Sequence, residues 1–257
     1  MRIEIVTLFP DYFNQPLRQS LIGKAADKEL FEIEIVNLRD FATDRHRTVD
    51  DRPFGGSAGM VLMIEPLDRC LQELGWPRSD EGTAPAGHHL LLTSAAGTRF
   101  DQSTAKRFSL GERMTIVCGH YLGVDERLMS LYDVREVSIG DYTLSGGEPA
   151  ALVMVDAVVR LLPGVLGNFE SALSDSHMEG TLGAPHFTRP AKYAGLKVPP
   201  SLLSGDHKRI ERFRRALALR KCMDNRPDML RPNDLGDDDR KVLSEFEEEI
   251  DINIKKG

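Results

Sequence analysis

The sequence predicts an α/β protein with a mostly parallel sheet and a small helical domain at its C-terminal end. Segments with the apolar pattern of strands alternate with helical segments up to a break at Pro163-Gly164, an order that is typical of parallel sheets. Two long, charged helical segments follow that break. The 257 residues, of which 41% are hydrophobic, are enough to bury a sizeable core.

Five strands are predicted before the break. The first two alternate around isoleucines such as Ile3, Ile5 and Ile33, and the next two are short apolar runs typical of buried strands. A fifth strand follows them. The predicted strands span residues 2–9, 31–38, 89–93, 114–118 and 134–139.

The helices between these strands are predicted from the residues that open them. Proline fits the first turn of a helix, and Pro16, Pro66 and Pro149 each stand at the start of a helical pattern. Asp101 is a candidate N-cap for a short helix, because its carboxylate can accept the N–H groups of the first turn. A further helix is predicted over residues 124–131.

Composition divides the chain into three parts. We predict a domain over residues 1–165, a linker over residues 166–178, where periodicity is weak, and a helical domain over residues 179–257. In the last part, residues 207–222 hold seven Lys or Arg against one Glu, whereas residues 237–251 are strongly acidic.

This distribution of charge bears on the partner. A net charge of −7 does not indicate a non-specific nucleic-acid binder. A basic helix confined to one place in an acidic protein instead predicts an anionic partner, such as one face of an RNA. Arg214 and Arg215 are the candidate phosphate contacts. The alternative is a solvated charged face.

Several other classes are disfavoured. The most apolar stretch, residues 150–159, is shorter than a membrane helix and contains Asp156. The N-terminus lacks the features of a signal peptide, so a cytoplasmic protein without a membrane partner is expected. Cys70, Cys118 and Cys222 are odd in number and far apart, so they predict neither a disulfide framework nor a metal site.

Glycine is concentrated where successive predicted strands end. Residues 93–97, 118–123 and 139–147 form three such loops. In open α/β sheets, ligands bind outside the carboxyl ends of strands, and glycine lets the backbone approach a ligand closely. Each loop taken alone is more consistent with a tight turn, but three loops in one sheet favour a binding site. The usual nucleotide-binding signatures are missing.

Four motifs resemble the tRNA (guanine-N1)-methyltransferase family (TrmD). They are HRTVDDRPFGGSAGM (46–60), GHYLGVDER (119–127), SIGDYTLSGGE (138–148) and SGDH (204–207), in the order that the family has them. The resemblance runs over nearly the whole chain. It implies the SPOUT fold, whose α/β domain contains a deep trefoil knot, a feature too rare for pattern reading to propose. It also implies a homodimer with each active site at the subunit interface.

The resemblance implies S-adenosylmethionine as the methyl donor, bound in the loops of the knot, with Mg²⁺ supporting the reaction. By position, the cofactor-binding residues are Ser94, Ala95, Gly119, Tyr121, Ile139, Gly140, Tyr142, Leu144, Gly146 and Gly147.

The implied substrate is tRNA, bound through its anticodon stem-loop, and the target is N1 of the guanosine immediately 3′ of the anticodon. Gly55, Gly56, Gly59 and Met60 match the part of the family that holds the target bases by backbone contacts. The polar, glycine-rich stretch 40–59 around them is otherwise predicted to be a surface loop.

Two residues match the catalytic residues of the family. Guanine N1 carries a proton at neutral pH, and Asp175 matches the general base that removes it. Arg160 matches the residue that stabilises the charge that then forms on O6. From residue type alone, Asp175 is a helix cap and Arg160 an ordinary charge at the end of a helix.

The sequence also departs from the family. Leu122 stands where Glu is usual, His120 replaces Arg, Ala95 replaces Pro, and Pro149-Ala150 stands where Leu-Pro is usual. Two alternative functions stay open, of which only the second is based on Leu122 and His120. One is a SPOUT enzyme that methylates a ribose 2′-hydroxyl, and the other is an RNA-binding dimer with weak catalysis.

Overall fold

The structure, a computed structural model, describes residues 1–167, 175–178, 180–230 and 235–253. The chain divides into two units, Met1–Gly167 and Asn168–Gly257. The predicted linker, residues 166–178, falls mostly outside the described residues.

A five-stranded sheet forms the centre of the first unit. The strands of this unit are β1 (Arg2–Thr7), β2 (Glu32–Asn37), β3 (Asp50–Asp51), β4 (Val61–Leu62), β5 (His88–Arg99), β6 (Arg113–Cys118) and β7 (Val134–Ser138). The sheet has the order β2-β1-β6-β5-β7, and the two strands of every neighbouring pair run parallel to each other. The short strands β3 and β4 pair with each other and are antiparallel. All five predicted strands and the predicted parallel sheet are confirmed.

One strand is longer than predicted. β5 does not end at Thr93 but continues to Arg99, and its pairing with β7 shifts register between Thr93 and Thr98. The first glycine-containing loop is therefore an irregularity within the β5–β7 ladder rather than a turn that ends the strand.

The helices of the first unit are α1 (Ser20–Asp27), α2 (Ile64–Glu73), α3 (Gln102–Ser109), α4 (Arg127–Leu131) and α5 (Glu148–Val159). The Asp101 carboxylate accepts the Thr104 N–H at 2.8 Å, which confirms the predicted cap of α3. The prediction that α4 begins at Val124 is wrong. Val124 pairs with Leu62, and the Asp125 N–H donates to the Leu62 carbonyl at 2.9 Å, so these residues are held extended.

Apolar side chains cover both faces of the sheet. Ile3 and Ile5 of β1 pack in a cluster with α5, whereas Val6 packs in a second cluster with α2. The alternation along β1 thus separates the two cores, as the period of a strand requires. All three cysteines are buried, and burial raises the pKa of the Cys70 thiol to about 12.

The second unit contains the two charged helices that the sequence predicts. The basic helix spans His207–Asn225 and is capped by Asp206, and the acidic helix spans Asp237–Asn253. They pack through Phe213 and Phe246, whose ring centroids are 5.2 Å apart. A short hairpin (Lys192–Tyr193 with Leu196–Lys197) and a short helix (Pro200–Leu203) precede them; neither was predicted. No helix among the described residues is long and apolar enough to cross a bilayer.

Candidate active site

A cleft of about 380 Å³ lies at the carboxyl ends of β6 and β7, beside the irregularity in β5. Its volume is within the range of sites for small molecules. The three glycine-containing segments form its walls, as the sequence predicts. All ten residues predicted to bind the cofactor line this cleft: Ser94, Ala95, Gly119, Tyr121, Ile139, Gly140, Tyr142, Leu144, Gly146 and Gly147. The structure therefore brings these ten residues together, while the identity of their ligand stays a prediction.

Thr93 fastens the walls of the cleft to each other. Its hydroxyl accepts the Gly119 N–H at 2.9 Å and donates to the Val117 carbonyl at 3.3 Å. The Gly147 N–H in turn donates to the Gly119 carbonyl at 2.8 Å. Sequence reasoning did not select Thr93, although a hydroxyl at the end of an apolar run was a usable signal.

Gly147 is required for this packing of the loops. A Cβ atom on Gly147 would overlap the Thr93 hydroxyl and would lie 2.9 Å from the Gly119 backbone nitrogen. The space that glycine leaves here is taken by the neighbouring loop. Glycine at position 147 therefore leaves room for Thr93 and Gly119, in addition to any room that it leaves for a ligand.

The open face of the cleft combines apolar side chains with backbone polar groups. Tyr121, Leu122, Tyr142 and Leu144 are between 41% and 58% exposed, although all four are large and apolar. Tyr121 has φ +60°, in the left-handed region that non-glycine residues rarely adopt. Such a surface suits a ligand with a flat aromatic ring and several hydrogen-bonding groups.

The loop predicted to hold the target bases, residues 53–60, is joined to one wall of the cleft. The Leu122 N–H donates to the Met60 carbonyl at 3.0 Å, and the Leu62 N–H donates to the Gly123 carbonyl at 3.0 Å. Gly59 faces Leu122, whose Cγ would lie 3.0 Å from a Cβ at that position. The structure thus brings this loop beside the residues predicted to bind the cofactor.

His120, one of the departures from the family, lies between two aromatic rings. Its ring centroid is 5.2 Å from that of Phe9 and 4.4 Å from that of Tyr121. Its Nδ1 atom is buried and has no hydrogen-bond partner within the described parts of the chain. The imidazole ring of His120 therefore packs against these two aromatic rings in the wall of the cleft.

The two predicted catalytic residues lie in different units. Arg160 directly follows α5 and is half-buried. Its backbone N–H donates to the Asp156 carbonyl at 3.2 Å. Asp175 is half-buried at the start of a turn, where its carbonyl accepts the Met178 N–H at 3.3 Å. The next residue is held within the second unit, since the Ser176 hydroxyl accepts the Gly183 N–H at 2.9 Å.

The basic helix uses much of its charge inside its own unit. Arg215 makes two hydrogen bonds of 2.8 Å to Asp239 of the acidic helix and holds the pKa of that carboxyl below its usual range. Arg212 also pairs with a carboxylate of the acidic helix, Glu245, at 2.7 Å. Arg214 is exposed, and among the described residues it has no carboxylate partner within 4 Å. The two arginines predicted to contact phosphate are therefore in different environments.

No cluster of three or more His, Cys, Asp or Glu side chains that could hold a metal ion occurs in the described ranges. We therefore assign no residue to Mg²⁺, and its role stays an expectation.

Comparison with known proteins gives a consistent result. Residues 1–232 match the family model described as tRNA (Guanine-1)-methyltransferase TrmD. Proteins named tRNA (guanine-N(1)-)-methyltransferase are similar over almost their whole length. One from Dehalococcoides mccartyi is 46% identical, covering 96% of this chain and 97% of its own. One from Geobacter metallireducens is 45% identical, covering 96% and 98%. One from Methylococcus capsulatus is 46% identical over the full length of both chains.

Proposed function

Because this chain belongs to the tRNA (guanine-1)-methyltransferase TrmD family, we propose that it transfers a methyl group from S-adenosylmethionine to N1 of the guanosine immediately 3′ of the anticodon. It is a tRNA (guanine-N1)-methyltransferase. The donor, the position in the tRNA and the roles of individual residues are the part that we propose.

The single observation that carries the proposal is the cleft. Three glycine-containing segments, one at the irregularity in β5 and two after β6 and β7, enclose about 380 Å³. This is the edge of the sheet where α/β proteins commonly bind their ligands. Half-exposed rings such as Tyr121 and Tyr142 suit an adenine, and the backbone groups around Gly140 and Gly147 suit the polar parts of S-adenosylmethionine. When bound there, S-adenosylmethionine supplies an electrophilic methyl group.

The chain's own residues then have to make guanine N1 nucleophilic. We assign the removal of the N1 proton to the Asp175 carboxylate, since a positioned carboxylate can act as a general base. As the proton leaves, negative charge develops on guanine O6. We assign the stabilisation of that charge to the Arg160 guanidinium, because a charge-assisted hydrogen bond is stronger than a neutral one.

Gly55, Gly56, Gly59 and Met60 are proposed to hold the bases around the target through their backbone. The hydrogen bond between Leu122 and Met60 supports this proposal, since it joins the loop to the wall of the cofactor cleft. The trefoil knot and the homodimer, both implied by the family, are parts of the same proposal.

Methylation of an unmodified tRNA transcript, followed by mapping of the modified nucleoside, tests this function. We expect 1-methylguanosine at the position 3′ of the anticodon, with transfer dependent on S-adenosylmethionine. A 2′-O-methylated ribose would support the alternative SPOUT enzyme. RNA binding without methyl transfer would support the weakly catalytic RNA-binding dimer. The names of the relatives favour the guanine N1 product.

A further inference from the structure

The loop of residues 53–60 carries an aromatic ring that the proposed function does not yet use. Phe54 is 101% exposed, the most exposed large apolar side chain among the described residues. Exposing a phenylalanine to water is unfavourable, since burial of such a side chain stabilises a protein. A fully exposed ring adds nothing to the core of this chain, so both of its faces are available to a ligand.

The backbone of the loop displays the ring. The Gly56 N–H donates to the Pro53 carbonyl at 3.4 Å, which closes a turn with Phe54 and Gly55 at its two central positions. Gly55 has φ +87° and Gly56 has φ +78°, and a Cβ on either would meet open space. The glycines are thus required by the turn and not by packing.

The other end of the loop is fixed. Met60 is joined to Leu122 of the cleft by a hydrogen bond of 3.0 Å, and Met63 donates its N–H to the Val49 carbonyl at 2.8 Å. Phe54 is six positions before Met60 in the sequence. The ring is therefore close, along the chain, to the wall where the methyl donor is proposed to bind. Its partner should be a neighbour of the target base.

The chemistry of the substrate defines that partner. A base in a duplex is stacked on both faces, whereas an unpaired base has a free face that an aromatic side chain can cover. The guanine N1 atom lies on the edge used for base pairing, so the target must be unpaired and its neighbours must be separated from it. Arg52, exposed two residues before the ring, adds a positive charge suited to the phosphate of such a nucleotide.

We propose that Phe54 stacks on an unpaired base next to the target guanine and thereby holds the RNA open at the cleft. This inference rests on the proposed function, since it takes tRNA as the substrate. It adds a side-chain contact to a loop that was expected to act through its backbone. It makes Phe54 a substrate-binding residue with no part in the transfer of the methyl group.

The test compares four variants of the full-length protein. Phe54→Ala removes the ring, Phe54→Leu keeps apolar bulk without an aromatic face, and Phe54→Tyr restores the face. Leu110→Ala, at a side chain that is 87% exposed, is the matched control for losing exposed apolar surface. We expect Phe54→Ala to weaken tRNA binding roughly 5-fold to 100-fold, as the loss of one base stack does.

Phe54→Leu should resemble Phe54→Ala, Phe54→Tyr should bind tRNA like the wild type, and Leu110→Ala should change nothing. Affinity for S-adenosylmethionine should be unchanged in all four variants. Single-turnover methyl transfer at saturating tRNA should also fall much less than binding does, because the ring does not contact the reacting atoms.

A double-mutant cycle identifies the base. Binding is measured with tRNAs that carry one abasic nucleotide at each position of the anticodon loop in turn, apart from the target. At the stacked position, removal of the base should weaken wild-type binding, and Phe54→Ala should add little further loss. Additive losses at every position, or normal binding by Phe54→Ala, would overturn the inference.

Failure of this inference can be distinguished from failure of the proposed function. If sedimentation shows that Phe54→Ala weakens self-association and the cycle shows no coupling, the ring belongs to a contact between subunits and the inference is wrong. If the wild type binds tRNA but does not methylate it, the proposed function fails. In that case the measurements of tRNA binding by the Phe54 variants would still decide whether Phe54 stacks on a base.

Discussion

At the scale of single residues, the proposed chemistry depends on carboxylate and hydroxyl groups whose importance is not visible from their type. Thr93 is an ordinary strand residue in the sequence, yet its hydroxyl joins two walls of the cleft. Gly147 is a glycine because the neighbouring loop occupies its Cβ position. Substitutions at Thr93 or Gly147 should therefore change the shape of the cleft, and through it the binding of a ligand.

Asp175→Asn is the sharpest test of the proposed base. The amide keeps the size of the side chain but cannot accept the N1 proton. Since general-base catalysis contributes about 10²–10⁴-fold, single-turnover methyl transfer should fall by that factor. Binding of tRNA and of S-adenosylmethionine should persist.

The exposed Asp133 provides the matched control, and Asp133→Asn should leave the rate unchanged. If Asp175 only stabilised its turn, Asp175→Asn would lower the melting temperature while the folded protein kept a normal rate. A near-wild-type rate would remove Asp175 from the mechanism even though the family assignment would stand.

At the scale of elements, ion pairs decide which charges are available to a substrate. The acidic helix neutralises arginines that look like an RNA-binding face in the sequence, as Arg212 with Glu245 and Arg215 with Asp239 show. The acidic helix of the same unit thus pairs with some of the charges that the sequence predicted for an anionic partner such as RNA. Exposed positions such as Arg214 are the ones left to contact phosphate.

Arg214→Ala and Arg215→Ala should therefore have different effects. Loss of Arg214 should weaken tRNA binding and lower the slope of its salt dependence by about one, as the loss of one phosphate contact does. Loss of Arg215 should mainly destabilise the unit by up to about 1 kcal/mol, because Asp239 loses its partner. Salt titrations of tRNA binding and urea denaturation measure both. Equal losses of tRNA binding would contradict this division.

A second ion pair should make the stability of the first unit depend on pH. Asp68 of α2 accepts a hydrogen bond of 3.0 Å from Arg78 and another of 2.7 Å from the Tyr132 hydroxyl. The Arg78 guanidinium holds the pKa of the Asp68 carboxyl below its usual value. A carboxyl with a lowered pKa in the folded state stabilises that state above its unfolded pKa, and the contribution is lost as the pH falls through the folded pKa.

Arg78→Met should therefore lower the free energy of unfolding at pH 7 by about 1 kcal/mol. The difference from the wild type should shrink as the pH falls below about 4, where Asp68 becomes protonated in the unfolded chain and then in the folded one. Urea denaturation at pH 7 and pH 3 measures this. Arg45→Met, at an exposed arginine, should show no such dependence. A difference that is the same at both pH values would exclude the ion pair as its cause.

At the scale of the whole molecule, we expect a homodimer in which the cleft of one chain is completed by Asp175 of the other. Two inactive variants should then complement each other. One is Asp175→Asn, and the other is Leu144→Arg, with loss of S-adenosylmethionine binding verified by calorimetry. In a mixed two-fold dimer one site contains neither substitution, so random exchange of subunits should restore about a quarter of wild-type activity.

Sedimentation equilibrium gives the independent measurement, and it should show a dimer for the wild type and for both variants. Mixtures that stay inactive despite exchange of subunits would mean that each site is built from one chain. A monomer with full activity would contradict the dimer altogether.

The sequence by itself determined the five strands of the parallel sheet and the edge of the sheet where the candidate cleft lies. Those features depend on local periodicity, on caps such as Asp101 and on glycine at the ends of strands, all of which can be read along the chain. It also determined the family, because the motifs of residues 46–60 and 138–148 are specific. The ten proposed cofactor residues followed from that resemblance.

Only the tertiary structure decided what these residues contact. The continuation of β5 to Arg99, the extended backbone at Val124 and the pairing of Arg215 with Asp239 each depend on a partner distant in sequence. So does the requirement for glycine at position 147, where Thr93 of another strand fills the space. Periodicity predicts which side of an element is buried, but it carries no information on which atoms will approach that side. Those contacts are fixed by packing of the whole chain.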